Sequence, residues 1–268
     1  MILKPRPFRK PRKSKRKKNL IGLWLMNEAS GNTVADLSGN GNEVDFVNSP
    51  VWSPGNTGPA ILFDDGSSQL LHRAGTCGIT SYPFSMVCWF NSDDQSANIV
   101  LMAMCDTNSS TDYHLLMARD PVDSDIYAGT LHSAASAIAH TAAEWTANTW
   151  HMAAGVWAGA QDRRAYLDGG NEAINTTNNA SWPDLVDNLT IGARRFNNSD
   201  TLFMSGKISL AMLYNRALTA SEIAQLYREP FCMFDRDPIE LWTGAMGGGV
   251  PPVGNAGIMT CNAGYWGT

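Results

Sequence analysis

Between Asn19 and Leu218 the sequence breaks repeatedly into short apolar or alternating stretches. Among them are NLIGLWLMN, AILFD, FSMVCWFNS, NIVLMAMCD, DYHLLMARD, IYAGTLHS, TWHMAAGVWA, RRAYLDG, NLTIGAR and GKISLAMLYNRAL, separated by clusters of Gly, Asn, Asp, Ser and Pro. Apolar runs this short, at this spacing, are strands, and so many strands bury their apolar faces only by packing one sheet on another. The expected fold class is all-β, a two-sheet antiparallel sandwich. The 268 residues suffice for one large sandwich, and a hydrophobic fraction of 44% with nine Trp supplies its core. No run approaches the roughly 18 consecutive apolar residues that span a bilayer, so no membrane partner is expected.

Local patterns add detail. YLDGG, from Tyr166 to Gly170, places Asp168 and Gly169 between two strands, the chemistry of a two-residue hairpin turn. In DLSGNGN, Gly39, Asn40 and Gly41 tolerate positive φ, and Asp36 can accept backbone donors across the tight turn. Trp150, Trp157 and Tyr166 fit inward or semi-inward positions of a sandwich, and His151 reads as a half-buried packing residue. One helix is expected, in LTASEIAQLYRE: Thr219 is the N-cap, Glu222 completes a capping box, Ile223, Leu226 and Tyr227 share a face, and Pro230 helps to stop it.

Charge divides the chain. Lys4, Arg6, Arg9, Lys10, Arg12, Lys13, Lys15, Arg16, Lys17 and Lys18 form a basic N-terminal arm, residues 1–18, that contains no acid. The other ten Lys and Arg face all 25 Asp and Glu, so residues 19–268 carry a formal charge of −15. Such an arm buries too little apolar area to order itself and its charges repel, so alone it is expected to be disordered; it reads as a solvated tail, as a docking arm for phosphates or an acidic protein surface with an affinity that salt weakens, or as a nuclear-import signal of the same composition. The basic residues run on to Lys18 and only about seven mostly apolar residues follow before Asn27 and Glu28, so a secretory signal peptide is not expected. The β body is expected over 19–243. The Gly/Pro-rich tail, 244–268, ends in GIMTCNAGYWGT, where Tyr265 and Trp266 are candidate anchors for a neighbour's groove in an oligomer.

Cys77, Cys88, Cys105, Cys232 and Cys261 are odd in number and lack a C-x-x-C pair, which reads as reduced thiols and not as a disulfide framework or a zinc site. There is no Gly-x-Ser-x-Gly, no phosphate-cradling loop and no His-Glu-x-x-His. The five His, at 72, 114, 132, 140 and 151, are scattered singly, and the acids Asp64, Asp65, Asp93, Asp94, Asp123 and Asp125 sit in turns. No catalytic residue is expected.

The order of these segments resembles the concanavalin A-like, laminin G-like jelly rolls. The stretches that carry the likeness are Gly22–Gly66, with DLSGNGN and a Gly-Pro-Ala strand ending in Phe-Asp, then FSMVCWF, Asn148–Gly170, LTIGAR, and SGKISLAMLYNRALTASEIAQLY. It covers roughly Leu20 to Tyr227. Related glycosidases of the laminarinase type carry Glu-x-Asp-x-x-Glu on one strand, a run absent here.

The resemblance implies two further roles. Many such domains hold a structural Ca²⁺ through carboxylates and carbonyls, which makes Glu28, Asp36, Asp64 and Asp65 the candidate metal ligands. The late strand, which often reads Gly-x-Ile-Asp, is Gly206-Lys207-Ile208-Ser209 here and lacks that acid. The family's other common role is glycan binding by exposed loops, with Trp182, Asn178, Asn179, Phe196 and Asn197 as candidate contacts in NNASWPD and FNNSD. Trp182 reads equally well as a stacking platform or as a packing cap. The combination of jelly roll, basic arm, unpaired cysteines and Gly-rich tail is similar to stand-alone domains among tailed-bacteriophage structural proteins. The implied function is a non-enzymatic virion protein, a capsid decoration or head or tail appendage. It would be made in the host cytoplasm, present in many copies, and docked by its arm on virion protein or nucleic acid. The alternative is a carbohydrate-binding module of a bacterial protein, Ca²⁺-dependent or not.

Overall fold

The computed structural model describes residues 19–232 except 57, 94, 120–124, 134, 179–181, 183–185 and 197–198, and for Phe196 the backbone alone. The basic arm and the Gly/Pro-rich tail, with Tyr265 and Trp266, lie outside the described residues. The strands in chain order are β1 (Leu20–Trp24), β2 (Thr33–Val34), β3 (Val44–Val47), β4 (Val51–Pro54), β5 (Pro59–Phe63), β6 (Leu70–Ala74), β7 (Phe84–Asn91), β8 (Ile99–Cys105) and β9 (Tyr113–Ala118). They continue with β10 (Ile126–His132), β11 (Ala135–His140), β12 (His151–Gly159), β13 (Asp162–Leu167), β14 (Gly170–Asn175), β15 (Asn188–Ile191), β16 (Arg194–Phe196), β17 (Ser199–Thr201) and β18 (Gly206–Tyr214), and one helix, α1 (Ala220–Arg228), follows.

Two antiparallel eight-stranded sheets form the sandwich. The first runs β14-β13-β12-β7-β18-β5-β4, with β1 pairing on the far half of the β18 edge that β5 also uses, and the second runs β11-β10-β9-β8-β15-β6-β3-β2. Strand β7 shows why these residues make this layer. Phe84, Met86, Cys88 and Phe90 point into the core between the sheets, while Val87 and Trp89 join a second apolar cluster on the outer face. A strand apolar on both sides must be covered twice. Helix α1 provides the second cover, burying Ile223 and Leu226 against Leu218, Met212 and Tyr214. Thr219 and Glu222 form the expected capping box. Tyr227, expected on the same buried face, is instead 42% exposed, with its ring base against Gly169.

The expected hairpin is present: Asp168 and Gly169 both have positive φ, 52° and 76°, between β13 and β14, as a primed two-residue turn requires. Asp168 also accepts from the Met152 amide at 2.8 Å and holds His151 Nδ1 at 2.8 Å, which makes the buried His151 a pinned residue of the turn. Two tryptophans sit on glycines. A Cβ at Gly22 would fall 2.3 Å from the Trp24 ring and one at Gly155 would fall 2.7 Å from the Trp157 ring, so each indole lies flat on its own strand two residues away. Cys77, Cys88 and Cys105 are free thiols; burial pushes Cys77 up to about 12, so it stays protonated at neutral pH.

Candidate functional site

Positions on the outer face of the second sheet, where β9, β10 and β11 run side by side, meet in one pocket. Tyr127 pairs with His140 and Gly129 pairs with Ile138, which sets Tyr127, Ile138 and His140 on one surface. The Tyr127 ring lies across Gly129, where a Cβ would come within 2.2 Å of it. The ring is thereby laid flat along the sheet, and burial pushes its phenol up to about 12. Arg119, Tyr127, Ser136, Ile138, His140 and Asn175 line a pocket of about 430 Å³, within the range of small-molecule sites.

A buried carboxylate organises its polar side. Asp125 is 4% exposed, and its Oδ2 accepts from His140 Nδ1 at 2.9 Å and from Arg119 Nη1 at 3.4 Å. Nδ1 of His140 is thus committed to Asp125, and Nε2 is the nitrogen that remains for a ligand. The His140 side chain is 57% exposed. Asn175 closes the pocket from the first sheet, and its Oδ1 accepts from Arg163 at 3.1 Å and from the Thr177 amide at 2.8 Å. An aromatic face, an imidazole, a guanidinium, an amide and a hydroxyl therefore converge on one concave surface. None of these residues except the acid Asp125 and the scattered His140 stood out in the sequence.

A second groove of about 440 Å³ is lined by Ala29, Trp52, Ser53, Pro54, Gly58 and Pro59. It is mainly apolar, and the Trp52 indole is tethered to the Gly31 carbonyl at 3.0 Å.

The residues singled out in the sequence fall elsewhere. Trp182 is half-buried against the core, its ring 4.6 Å from His114, 5.2 Å from Tyr82 and 5.6 Å from Phe84. Those contacts give the indole the role of a packing cap. Asn178 is exposed; Asn179 and Asn197 lie outside the described residues. Phe196 is in a strand and not in a loop, because Arg194–Phe196 pairs with Ser199–Thr201 in a hairpin clamped by two Arg195–Asp200 hydrogen bonds of 2.7 and 2.8 Å.

The candidate metal ligands each accept from protein donors, although the second Glu28 oxygen, Oε2, is buried without one among the described residues. Asp36 accepts from Leu23 N, Ser38 N, Ser38 Oγ and Asn42 N at 2.7 to 3.0 Å, making it the staple between β1 and the DLSGNGN turn. Asp64 accepts from Gly66 N and Ser67 Oγ, Asp65 from Gly66 N, and Glu28 from Ala35 N. Among the described residues no three His, Cys, Asp or Glu side chains come together as a metal cluster.

Comparison with known proteins agrees with this architecture. No curated protein sequence matches the chain. Among solved structures, domain 4 of AbnA, an extracellular arabinanase of family GH43 from Geobacillus stearothermophilus, superposes with a TM-score of 0.62 at 14% identity, over 78% of this chain and 98% of that one. The binding domain of Paraclostridial Mosquitocidal Protein 1 gives 0.61 at 15% identity over 81% of this chain. The binding domain of Botulinum Neurotoxin DC gives 0.60 at 10% identity over 80%. This chain spans 54% and 52% of the two toxin chains. The fold is also shared with Trypanosoma rangeli sialidase, at a TM-score of 0.57 and 14% identity over 81% of this chain and 33% of that one. The sequence profile of a laminin G-like family, described as the concanavalin A-like lectin/glucanases superfamily, matches residues 64–224. With that span inside a two-sheet sandwich, the chain belongs to the concanavalin A-like lectin/glucanases superfamily.

Proposed function

We propose that this protein is a non-enzymatic glycan-binding jelly roll whose ligand sits in the pocket between Tyr127, His140, Arg119 and Asn175. The observation that carries the reading is the juxtaposition of a flat-lying aromatic ring with four side chains able to exchange hydrogen bonds. A sugar ring offers one apolar CH face and a rim of hydroxyls, and a site with one stacking surface and a few fixed polar groups meets both needs. Two structural neighbours support the class of ligand: the AbnA domain was solved in complex with arabinotriose, and the neurotoxin DC domain in complex with SialylT.

The charge partition supports a mode of display. A ten-residue cationic set on a body of formal charge −15 is an electrostatic tether, and it suits a component held in many copies on a larger particle. The particle we propose is the virion of a tailed bacteriophage, with the chain as a capsid decoration or a head or tail appendage, made in the host cytoplasm and exposing its sugar pocket outward.

Two experiments test the two halves separately. A glycan array probed with the full chain is expected to give hits that fall at least tenfold in Tyr127→Ala and His140→Ala; hits unchanged in both variants, or no hits at all, would remove the pocket reading. Sedimentation with phage heads over a salt series is expected to lose binding when residues 1–18 are deleted or when salt is raised. Equal behaviour of both proteins would remove the tether.

A further inference from the structure

The turn that fastens β1 carries a reactive peptide bond. Alternate side chains of this turn reach back to the first strand. Asp36 accepts from the Leu23 amide at 3.0 Å, and Ser38 Oγ donates to the Ile21 carbonyl at 3.0 Å. Asn40 Nδ2 donates to the Leu20 carbonyl at 3.2 Å, and Asn42 Nδ2 donates to the Ile21 carbonyl at 2.7 Å. Asn40 also gives Nδ2 to Ser38 Oγ at 2.8 Å and to the Ile21 carbonyl at 3.5 Å. Its two carbonyl contacts are long, so the amide is held chiefly by Ser38.

Asn40 precedes Gly41, and Asn-Gly occurs nowhere else in the sequence. Both residues are exposed. Gly41 has φ 73°, and nothing lies within 4 Å of the position a Cβ would take there. Its backbone N–H donates no hydrogen bond among the described residues. The amide nitrogen next to the Asn40 side chain is therefore neither screened nor bonded. We propose that Asn40 is a self-modification site, converted through a cyclic imide to aspartate and isoaspartate, and that the conversion undoes one fastening of β1.

The reaction needs only water. The Gly41 nitrogen, losing its proton to solvent, attacks Asn40 Cγ; the Cγ–Nδ2 bond breaks, and Nδ2 takes up a proton and leaves as ammonia. Water then opens the imide at Cγ to give aspartate, or at the backbone carbonyl to give isoaspartate, whose chain runs through the side-chain carbon. The product is a carboxylate, which at neutral pH only accepts. The Leu20 and Ile21 carbonyls are acceptors too, and the single Ser38 proton already lies between Asp36 Oδ2, at 2.7 Å, and the Ile21 carbonyl. None of the Asn40 side-chain contacts survives the exchange, and the new charge competes with Asp36 for one hydroxyl. The site is independent of the sugar pocket.

Mass spectrometry of the full chain reads the conversion. The folded protein kept at mildly alkaline pH should exchange amide for acid at position 40 before any other asparagine, with isoaspartate, detected by an isoaspartate-specific methyltransferase, among the products. Ser38→Ala, which releases the amide, should speed the conversion severalfold. Conversion that starts at another asparagine or requires urea, or a Ser38→Ala rate equal to wild type, overturns the proposal. Melting temperatures test the loosening: Asn40→Ala removes the contacts whereas Asn40→Asp inverts them, so Asn40→Asp should melt about 2–4 °C below Asn40→Ala. Equal melting temperatures, or the reverse order, would show that the new carboxylate does not loosen β1.

Discussion

The two outer faces of the sandwich start from the same problem and end differently. On the first sheet Trp89, Met152, Val156, Leu210 and Met212 form an apolar surface that α1, nine residues long, covers with Ile223 and Leu226. On the second sheet Val100, Ala103, Cys105, Leu115 and Met117 form a smaller one, with Tyr113, Tyr127 and Leu202 packed at its margin. The cover there is the hairpin of β16 and β17, strands of three residues each, with Arg194 over the Tyr113 ring at 5.0 Å. A short hairpin shields less than a helix. The sheet beyond it, from Tyr127 to His140, is therefore open to solvent and is where the pocket forms. The pocket in this sandwich follows from how little covers an outer face and not from a hole in the core.

The contrast can be broken by experiment. The largest effect is expected on the closed face: Ile223→Ala should cost about 2–5 kcal/mol in urea unfolding, with sugar binding per folded molecule unchanged. A cost below about 1 kcal/mol would show that α1 is not the cover described.

Next is a pH effect from the core. Burial, and then the Arg163 charge, hold His114 well below its ordinary value of 6.5, so between pH 6.5 and about 5 the unfolded chain takes up a proton that the folded chain refuses. Stability should fall as pH falls through that window, by about 1.4 kcal/mol per pH unit once below 6.5. His72, also lowered by burial and then by Arg195, acts in the same direction. Asp112, Asp162, Asp187 and Glu222, all lowered, add their losses only at more acid pH. Unfolding midpoints of His114→Gln across pH 5 to 7 should show a shallower slope, and an unchanged slope would assign the acid sensitivity to other groups.

Smaller again is the helix cap, where Thr219→Ala should cost about 1 kcal/mol, measured by thermal unfolding. The smallest stability change is expected on the open face. Ser136→Ala, at an exposed position of the pocket, should move stability by no more than about 0.5 kcal/mol yet weaken sugar binding by about 1 kcal/mol. Titration calorimetry that found the reverse order would exchange the roles of the two faces.

Much of the fold was legible because its signals are local. Asp168-Gly169 marks its turn, Thr219 and Glu222 mark their cap, and the alternation in FSMVCWF marks a strand with two buried faces. The pocket was not legible, because its residues are single positions just past β9 and on β10, β11 and β14 that only pairing brings together. Strand β11 itself, ASAIAH, has one β-branched residue and three alanines, too weak a pattern to read as a strand without its partner β10. FNNSD misled for the opposite reason: its Asn and Ser read as loop, while the Arg195–Asp200 clamp that makes it a hairpin is a tertiary fact. Trp182 was ambiguous in sequence because a tryptophan beside proline looks alike on a platform and on a lid.

The seats beneath Trp24 and Trp157 bear on how this sequence can drift. Any side chain at Gly22 or Gly155 would intrude on the indole two residues along, and shrinking either indole would leave a hollow over bare backbone. Each glycine and its tryptophan therefore behave as one inherited character. Mutational paths that change only one partner pass through a damaged sandwich, while paired replacements stay open, so in a deep library of variants the two positions of each pair should be accepted or rejected together.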